Sequence, residues 1–191
     1  MMFAYRIFGW LLGGIYGSIP LFWLMVHPFA NFWRTRFRAP LKILGALWIV
    51  LWFVTWIVTA PWRMQLLYDN AWPVLLAIPL WLTSATIYLV CGWQFSLEQI
   101  IGRYEVELDR NQNLVTDGLH GYVRHPLYVG HFCTLLGLAV STGTVAVWGL
   151  LIFALVTGAV MIRFEDAELE QRFGAPYREY RQRVPAVIPK L

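Results

Sequence analysis

The chain has 191 residues, 59% of them hydrophobic and 14% charged, with a formal charge of +4. Soluble domains carry about a quarter charged residues, so this balance excludes an ordinary water-soluble globule and points to lipid as the solvent. Eleven tryptophans supply the aromatic enrichment expected where helices meet the lipid–water interface, and the length allows one compact bundle rather than two domains.

Five apolar segments follow in chain order: Ile7–Val26, Leu41–Ala60, Trp72–Trp93, Leu127–Val140 and Val145–Ile162. The first three approach the roughly 20 residues that cross a hydrocarbon core of about 30 Å. The first starts at once and holds Gly13-Gly14 inside a longer helix, so no cleavable signal peptide is expected. The fourth is short, and only Ser141, Thr142, Gly143 and Thr144 part it from the fifth. That pair reads as a tight helical hairpin, incompletely crossing or tilted. The expected fold is all-α: a single polytopic membrane helix bundle over 1–191, with about five transmembrane helices and a C-terminal helical tail. Residues 1–93 supply three N-terminal transmembrane helices and residues 94–191 the hairpin and tail. Cys91 and Cys133 fall inside apolar stretches and read as small buried hydrophobes, neither a disulfide nor a metal cluster.

Orientation follows from lysine and arginine. Arg34, Arg36, Arg38 and Lys42 lie between segments one and two, and Arg103, Arg110 and Arg124 between three and four. Arg163, Arg172, Arg178, Arg181, Arg183 and Lys190 follow segment five, while the opposite side holds only Arg6 and Arg63. This asymmetry places the N-terminus outside and the C-terminus in the cytoplasm. Ten of the eleven acids, all but Asp69, fall on the same cytoplasmic side. In the tail Leu169, Phe173, Tyr177, Tyr180 and Val184 recur every three or four residues, an apolar helical stripe. Gly174 can stop one helix and Pro176 start the next, folding the tail back over the end of the bundle.

Chemistry concentrates in two places. In the stretch Leu114–Gly130, Thr116-Asp117-Gly118 is a turn signal and Pro126 suits the first position of a helix, with His125 at or beside its N-cap. Arg124 and His125 thereby stand at the positive end of a membrane helix, where backbone N–H groups favour an anionic group such as a carboxylate. Tyr128 and His131 follow about one turn later. The bland alternative is an interface anchor, with Arg124 snorkelling to headgroups. The second place is Arg163, Glu165, Asp166, Glu168 and Glu170, directly after segment five. Carboxylates at the end of an apolar helix are costly unless paired or solvated. Either Glu165 or Asp166 pairs with Arg124 as a structural ion pair, or one of them receives a cationic ligand amine.

The string Arg124-His125-Pro126-Leu127-Tyr128-Val129-Gly130, preceded by Leu114-Val115-Thr116-Asp117-Gly118, resembles the first motif of the isoprenylcysteine carboxyl methyltransferase family. The family's second motif reads here as Glu165-Asp166, Leu169, Phe173-Gly174, Tyr177, Tyr180, Val184-Pro185 and Pro189. The resemblance covers the chain from about Gly102 onward, and the first three segments match only in being hydrophobic. It implies S-adenosylmethionine (SAM) as methyl donor, bound under the folded-back tail. By position the implied donor-binding residues are Leu114, Val115, His120, His125, Pro126, Leu127, Tyr128 and Glu165. Glu165 would accept from the donor's ammonium, and His125 with the helix-start amides would face its carboxylate. This chain departs from the family pattern at His120, usually a tyrosine, at Asp166 in place of glutamate, and at Ala175-Pro176 in place of polar residues.

Methyl transfer from a sulfonium is an in-line displacement that asks the protein to hold and desolvate the nucleophile. Arg124 or Arg163 could orient an acidic acceptor, and His120 or His131 could deprotonate a thiol or amine. The expected partners are the bilayer and a lipid-embedded or small hydrophobic acceptor; no metal and no nucleic acid are indicated. Two other classes compete: a reductase resembling the membrane sterol reductases, against which the Arg-His-Pro-x-Tyr-x-Gly string speaks, and a scaffold or small transporter. Transport favours charged or broken helices at mid-bilayer, and the first three segments have no acid or base in their centres.

Overall fold

The computed structural model describes residues 2–100, 102–106 and 113–189. Among these the structure is helical, with an isolated bridge between Leu66 and Thr144. The helices are α1 (Met2–Val26), α2 (Ala30–Arg36), α3 (Pro40–Thr59), α4 (Pro73–Gln94), α5 (Leu97–Ile100), α6 (Arg103–Val106), α7 (Pro126–Thr142), α8 (Val145–Phe173) and α9 (Ala175–Arg183). Proline in the first turn starts α3, α4, α7 and α9, where its missing N–H costs nothing.

Among the described residues four stretches are long and apolar enough to cross a membrane: Met2–Arg36, Pro40–Trp62, Pro73–Gln94 and Val145–Phe173. With its 17 residues α7 is the shorter apolar helix; at about 26 Å it reaches the lower limit for a crossing. The chain is an integral, multi-pass helical membrane protein. Ile49, Val50, Phe53, Val54, Ile57 and Val58 on α3 are exposed, as a face turned to lipid requires.

Small residues let the backbones approach where a lipid solvent gives no hydrophobic drive. On α1, Gly9, Gly13 and Gly17 recur at every fourth position; a Cβ there would meet Thr142, Val147 and Leu150 respectively. On α7, Gly130 and Gly137 admit Tyr88 and Trp81 of α4, and on α8, Gly158 admits Phe132 of α7. The resulting core joins Leu135, Leu138 and Ala139 of α7 to Val147, Leu151 and Ala154 of α8. A second cluster, Phe22, Val26, Trp33, Leu44 and Val106, sits at the end where α2, α6 and the tail gather.

The two ends of the bundle differ. At one, Arg6 pairs with Asp69, and the segment after α3 straps the α7–α8 turn: Leu67 N donates to Gly143 O (2.8 Å), Val145 N to Gln65 O (2.8 Å) and the Tyr68 hydroxyl to Val140 O (2.6 Å). At the other, α8 runs about three turns past the apolar stretch ending at Ile162 and stops at Gly174. Gly174 has φ +65°, a left-handed conformation that glycine adopts without strain, and α9 turns back from it over α8.

Candidate functional site

The segment before α7 is held by the tail. Arg124 N donates to Pro185 O (2.8 Å) and His125 N to Ala186 O (3.0 Å), so the chain enters α7 locked to the C-terminal segment. His125 is the N-cap of α7 but makes no side-chain cap bond, and Pro126 follows in the first turn. Upstream, Gly118 opens a 3₁₀ turn over Gly118–Gly121 at φ +56°, a conformation that glycine adopts without strain, and the Gln94 amide packs into the space a Cβ would take.

These pieces enclose a cavity of about 380 Å³. All eight positions matched to the donor site, Leu114, Val115, His120, His125, Pro126, Leu127, Tyr128 and Glu165, line it, and so do Arg124 and His131. The tail stripe closes it through Leu169, Phe173, Tyr177 and Tyr180. Arg163 is exposed and not among its lining residues. It precedes Glu165 by two residues, about 200° around a helix at 3.6 residues per turn, so it cannot share that face. The structure therefore does not bring Arg163 to the site.

Asp166 is the hub beneath the cavity. Its carboxylate accepts from Arg124 Nη2 (2.7 Å) and Nε (3.3 Å), from His125 Nε2 (3.0 Å) and from the Tyr177 hydroxyl. Arg124 spends its remaining fork on the tail, donating to the carbonyls of Val184 and Arg181. Its guanidinium braces the tail through Asp166. Bidentate pairing of this kind is both strong and directional. The other nitrogen of His125, Nδ1, lies 3.4 Å from Glu165 Oε2. Burial pushes the His125 imidazole down, but Glu165 and the bond to Asp166 outweigh it and hold the group up, at about 9. His125 is thus a cation between two acids. At His120 burial and the nearby His125 cation outweigh the pull of Asp117 and Glu165 and lower the imidazole to about 4, keeping it neutral.

Several buried polar atoms around the cavity have no hydrogen-bond partner among the described residues: Glu165 Oε2, His120 Nδ1, both ring nitrogens of His27 and Glu105 Oε2. His27 stacks on Trp23 at 5.1 Å and stands 3.7 Å from Glu165 Oε2. Burial pushes the Glu105 carboxyl up to about 7 despite the nearby Arg172. An unpaired buried polar group costs about 1–3 kcal/mol, so a cluster of them marks where a ligand completes the bonding.

Sequence reasoning missed Trp23, His27, Tyr88, Phe95 and Glu105, all of which line the cavity. Trp23 lies within the first apolar segment and His27 directly follows it. The available signal was an ionisable side chain beside an apolar span, which in membrane proteins defaults to function.

The family profile described as phospholipid methyltransferase matches residues 74–176, more than half of the chain and the whole hairpin with its flanking motifs. The chain belongs to the phospholipid methyltransferase family. Within that family it is 40% identical over 86 residues to a protein-S-isoprenylcysteine O-methyltransferase of Schizosaccharomyces pombe, covering 44% of this chain and 36% of that one. It is 36% identical over 126 residues to the cobalt-zinc-cadmium resistance protein CzcN of Cupriavidus metallidurans, covering 65% and 54% respectively. Methanethiol S-methyltransferase 2 of Bradyrhizobium diazoefficiens is 34% identical over 100 residues, covering 51% and 37%. The matched stretches thus span about half or less of these relatives' own lengths. No solved structure matches this family member. The motif resemblance to the isoprenylcysteine enzymes and the family profile agree.

Proposed function

We propose that this protein transfers a methyl group from SAM to a lipid-embedded or small hydrophobic acceptor at the cytoplasmic face of a membrane. The observation that carries this reading is the cavity lined by every matched donor position, with Glu165 Oε2, His120 Nδ1 and both His27 nitrogens buried without a hydrogen bond among the described residues. That set suits SAM: a carboxylate for the ammonium, neutral imidazoles for polar atoms, and Leu114, Val115, Leu127 and Tyr128 for the adenosine.

SAM supplies an electrophilic methyl group on a sulfonium. The rest falls to this chain's residues. Glu165 accepts from the ammonium, kept in place by His125, which is fixed in turn by Asp166. Arg124 is a positioning residue, holding Asp166 and the tail together so that Tyr177 and Tyr180 roof the cavity. His120, neutral at pH 7, offers a hydrogen bond without a charge. The closed tail excludes water from the sulfonium, and the nucleophile must reach about 3–3.5 Å from the methyl carbon. The relatives' names cover a prenylcysteine carboxyl group and methanethiol as acceptors, and both fit access from the membrane between helices.

Purified protein incubated with methyl-labelled SAM and extracted membrane lipids or thiols should transfer label to one of these pools. Label in none, with no SAM bound, would sink the proposal. The arginine and lysine asymmetry assigns the C-terminus and the cavity to the cytoplasm; a reporter fused after Leu191 should be active there, and an external signal would reverse the orientation.

A further inference from the structure

The end of α1 reaches the cavity from outside the family match. Trp23 and His27 both line it, yet the profile begins at residue 74, so the matched motifs account for neither. Gly9, Gly13 and Gly17 set α1 against Thr142, Val147 and Leu150. The chain then leaves α1 at Val26 into a single 3₁₀ turn, His27–Phe29, with Pro28 in its first turn. That turn packs on α8. It delivers the His27 ring to Glu165, with Nε2 3.7 Å from Oε2.

The ring is held but not satisfied. Its face stacks on Trp23 at a centroid distance of 5.1 Å and an interplanar angle of 20°. Trp23 in turn packs against Gly102, where a Cβ would stand 2.6 Å from the indole. Stacking fixes the plane of an imidazole and uses neither nitrogen. His27 is 5% exposed, and its Nδ1 and Nε2 are both buried without a hydrogen bond among the described residues, as is Glu165 Oε2. Buried polar atoms are costly to leave unpaired, and here two of them face each other across a gap.

What fits between them follows from the donors and acceptors present. His125 Nδ1, 3.4 Å from the same Oε2, belongs to the cation between the two acids and can only donate. The acceptors facing the gap are then Glu165 Oε2 and, with the ring proton on Nδ1, His27 Nε2. A hydroxyl has one proton and serves one of them. An ammonium has three, serves both, and carries the charge that the carboxylate calls for. Its nitrogen would stand about 2.9 Å from each, which acceptors 3.7 Å apart allow.

Resting on the methyl-transfer reading, we infer that His27 is a donor-binding residue: its Nε2 and Glu165 Oε2 together hold the ammonium of SAM, and Trp23 fixes the imidazole for that bond. The donor site thereby draws on α1 as well as on the hairpin and the tail, and the glycine face of α1 takes part in assembling it. The bond also sorts ligands. An adenosyl sulfonium without the amino group gains nothing from His27.

The experiment titrates wild type, H27F and H27Q with SAM and with its des-amino analogue, in which hydrogen replaces the ammonium. H27F keeps an aromatic ring on Trp23 and removes both nitrogens, whereas H27Q returns an acceptor oxygen near the place of Nε2. H27F should bind SAM about tenfold to a hundredfold more weakly, the range of a hydrogen bond to a charged group. It should bind the des-amino analogue as wild type does, and H27Q should recover part of the lost SAM affinity. Should H27F not fold, H27N, with a polar group near the place of Nδ1 and none at Nε2, carries the same expectations. Equal losses on the two ligands would mark His27 as structural and overturn the inference. So would H27F binding SAM as tightly as wild type or more tightly, the sign of an ion pair between His27 and Glu165 that the ammonium has to break. Either result leaves SAM binding and methyl transfer standing, while a wild type that binds no SAM would overturn both readings.

Discussion

The two ends of this bundle are built from similar residue types and solve opposite problems. At the strapped end Leu67, Gln65 and Tyr68 hydrogen-bond the α7–α8 turn directly, and Arg6 meets Asp69. At the cavity end a comparable set of polar side chains is drawn together, yet Glu165, His27, His120 and Glu105 keep buried atoms without a hydrogen bond among the described residues. Nearby, Asp166 is saturated by Arg124, His125 and Tyr177. A helix bundle in lipid can therefore satisfy polar groups at its ends, and the atoms left open beside a saturated hub are where the proposed donor would bind.

Changes at the hub should have the largest effect. Asp166→Ala strips Arg124 and His125 of their shared carboxylate, and breaking a buried ion pair costs about 3–5 kcal/mol. Thermal unfolding in detergent should show a large drop, with SAM affinity falling alongside as the tail loosens. A variant as stable as wild type would show that the tail is held by its backbone bonds alone and that Asp166 is no hub.

An intermediate effect is expected from pH. The folded-state His125 sits at about 9 against an ordinary value of 6.5, so its pairing stabilises fully below about 6.5 and fades as pH rises through about 9. The unfolding temperature should fall between pH 6.5 and pH 9.5 beyond any change in His125→Gln. Equal pH dependence in the two would remove the charged His125 from the account.

The smallest effect belongs to the strapped end. Tyr68→Phe removes the bond to Val140 O and should cost about 0.5–1.5 kcal/mol while leaving SAM affinity untouched. A loss of SAM affinity there would mean that the two ends are coupled through α7 and that their separation is wrong.

Much of this arrangement was legible in the sequence, for definable reasons. Apolar run length gave the helices, because lipid leaves a backbone no other option. Proline placed the starts of α7 and α9, and glycine the break at Gly174. What escaped was non-local. His27 and Trp23 reach the cavity only because the glycine face of α1 docks on α7 and α8, and no local pattern announces that approach. The Tyr88–His131 contact joins residues 43 apart in the chain. The end of α8 was likewise hidden: composition marks Ile162 as the limit of the apolar stretch, but the helix continues to Phe173 because Asp166 and Glu168 are buried against partners on other elements.

The most direct test of the central claim, that the open polar atoms of the cavity form the donor site, is calorimetric titration with SAM of wild type beside Glu165→Gln. Glu165 Oε2 is buried without a hydrogen bond among the described residues, so removing its charge withdraws from the donor's ammonium a charge-assisted bond worth about 1.5–3 kcal/mol, and it also takes from His125 an acid 3.4 Å away. Wild type should bind one equivalent of SAM, and the variant should bind it roughly tenfold to hundredfold more weakly while still unfolding cooperatively, at a lower temperature than wild type. Equal affinity in a folded variant would contradict the claim and leave Glu165 a structural acid.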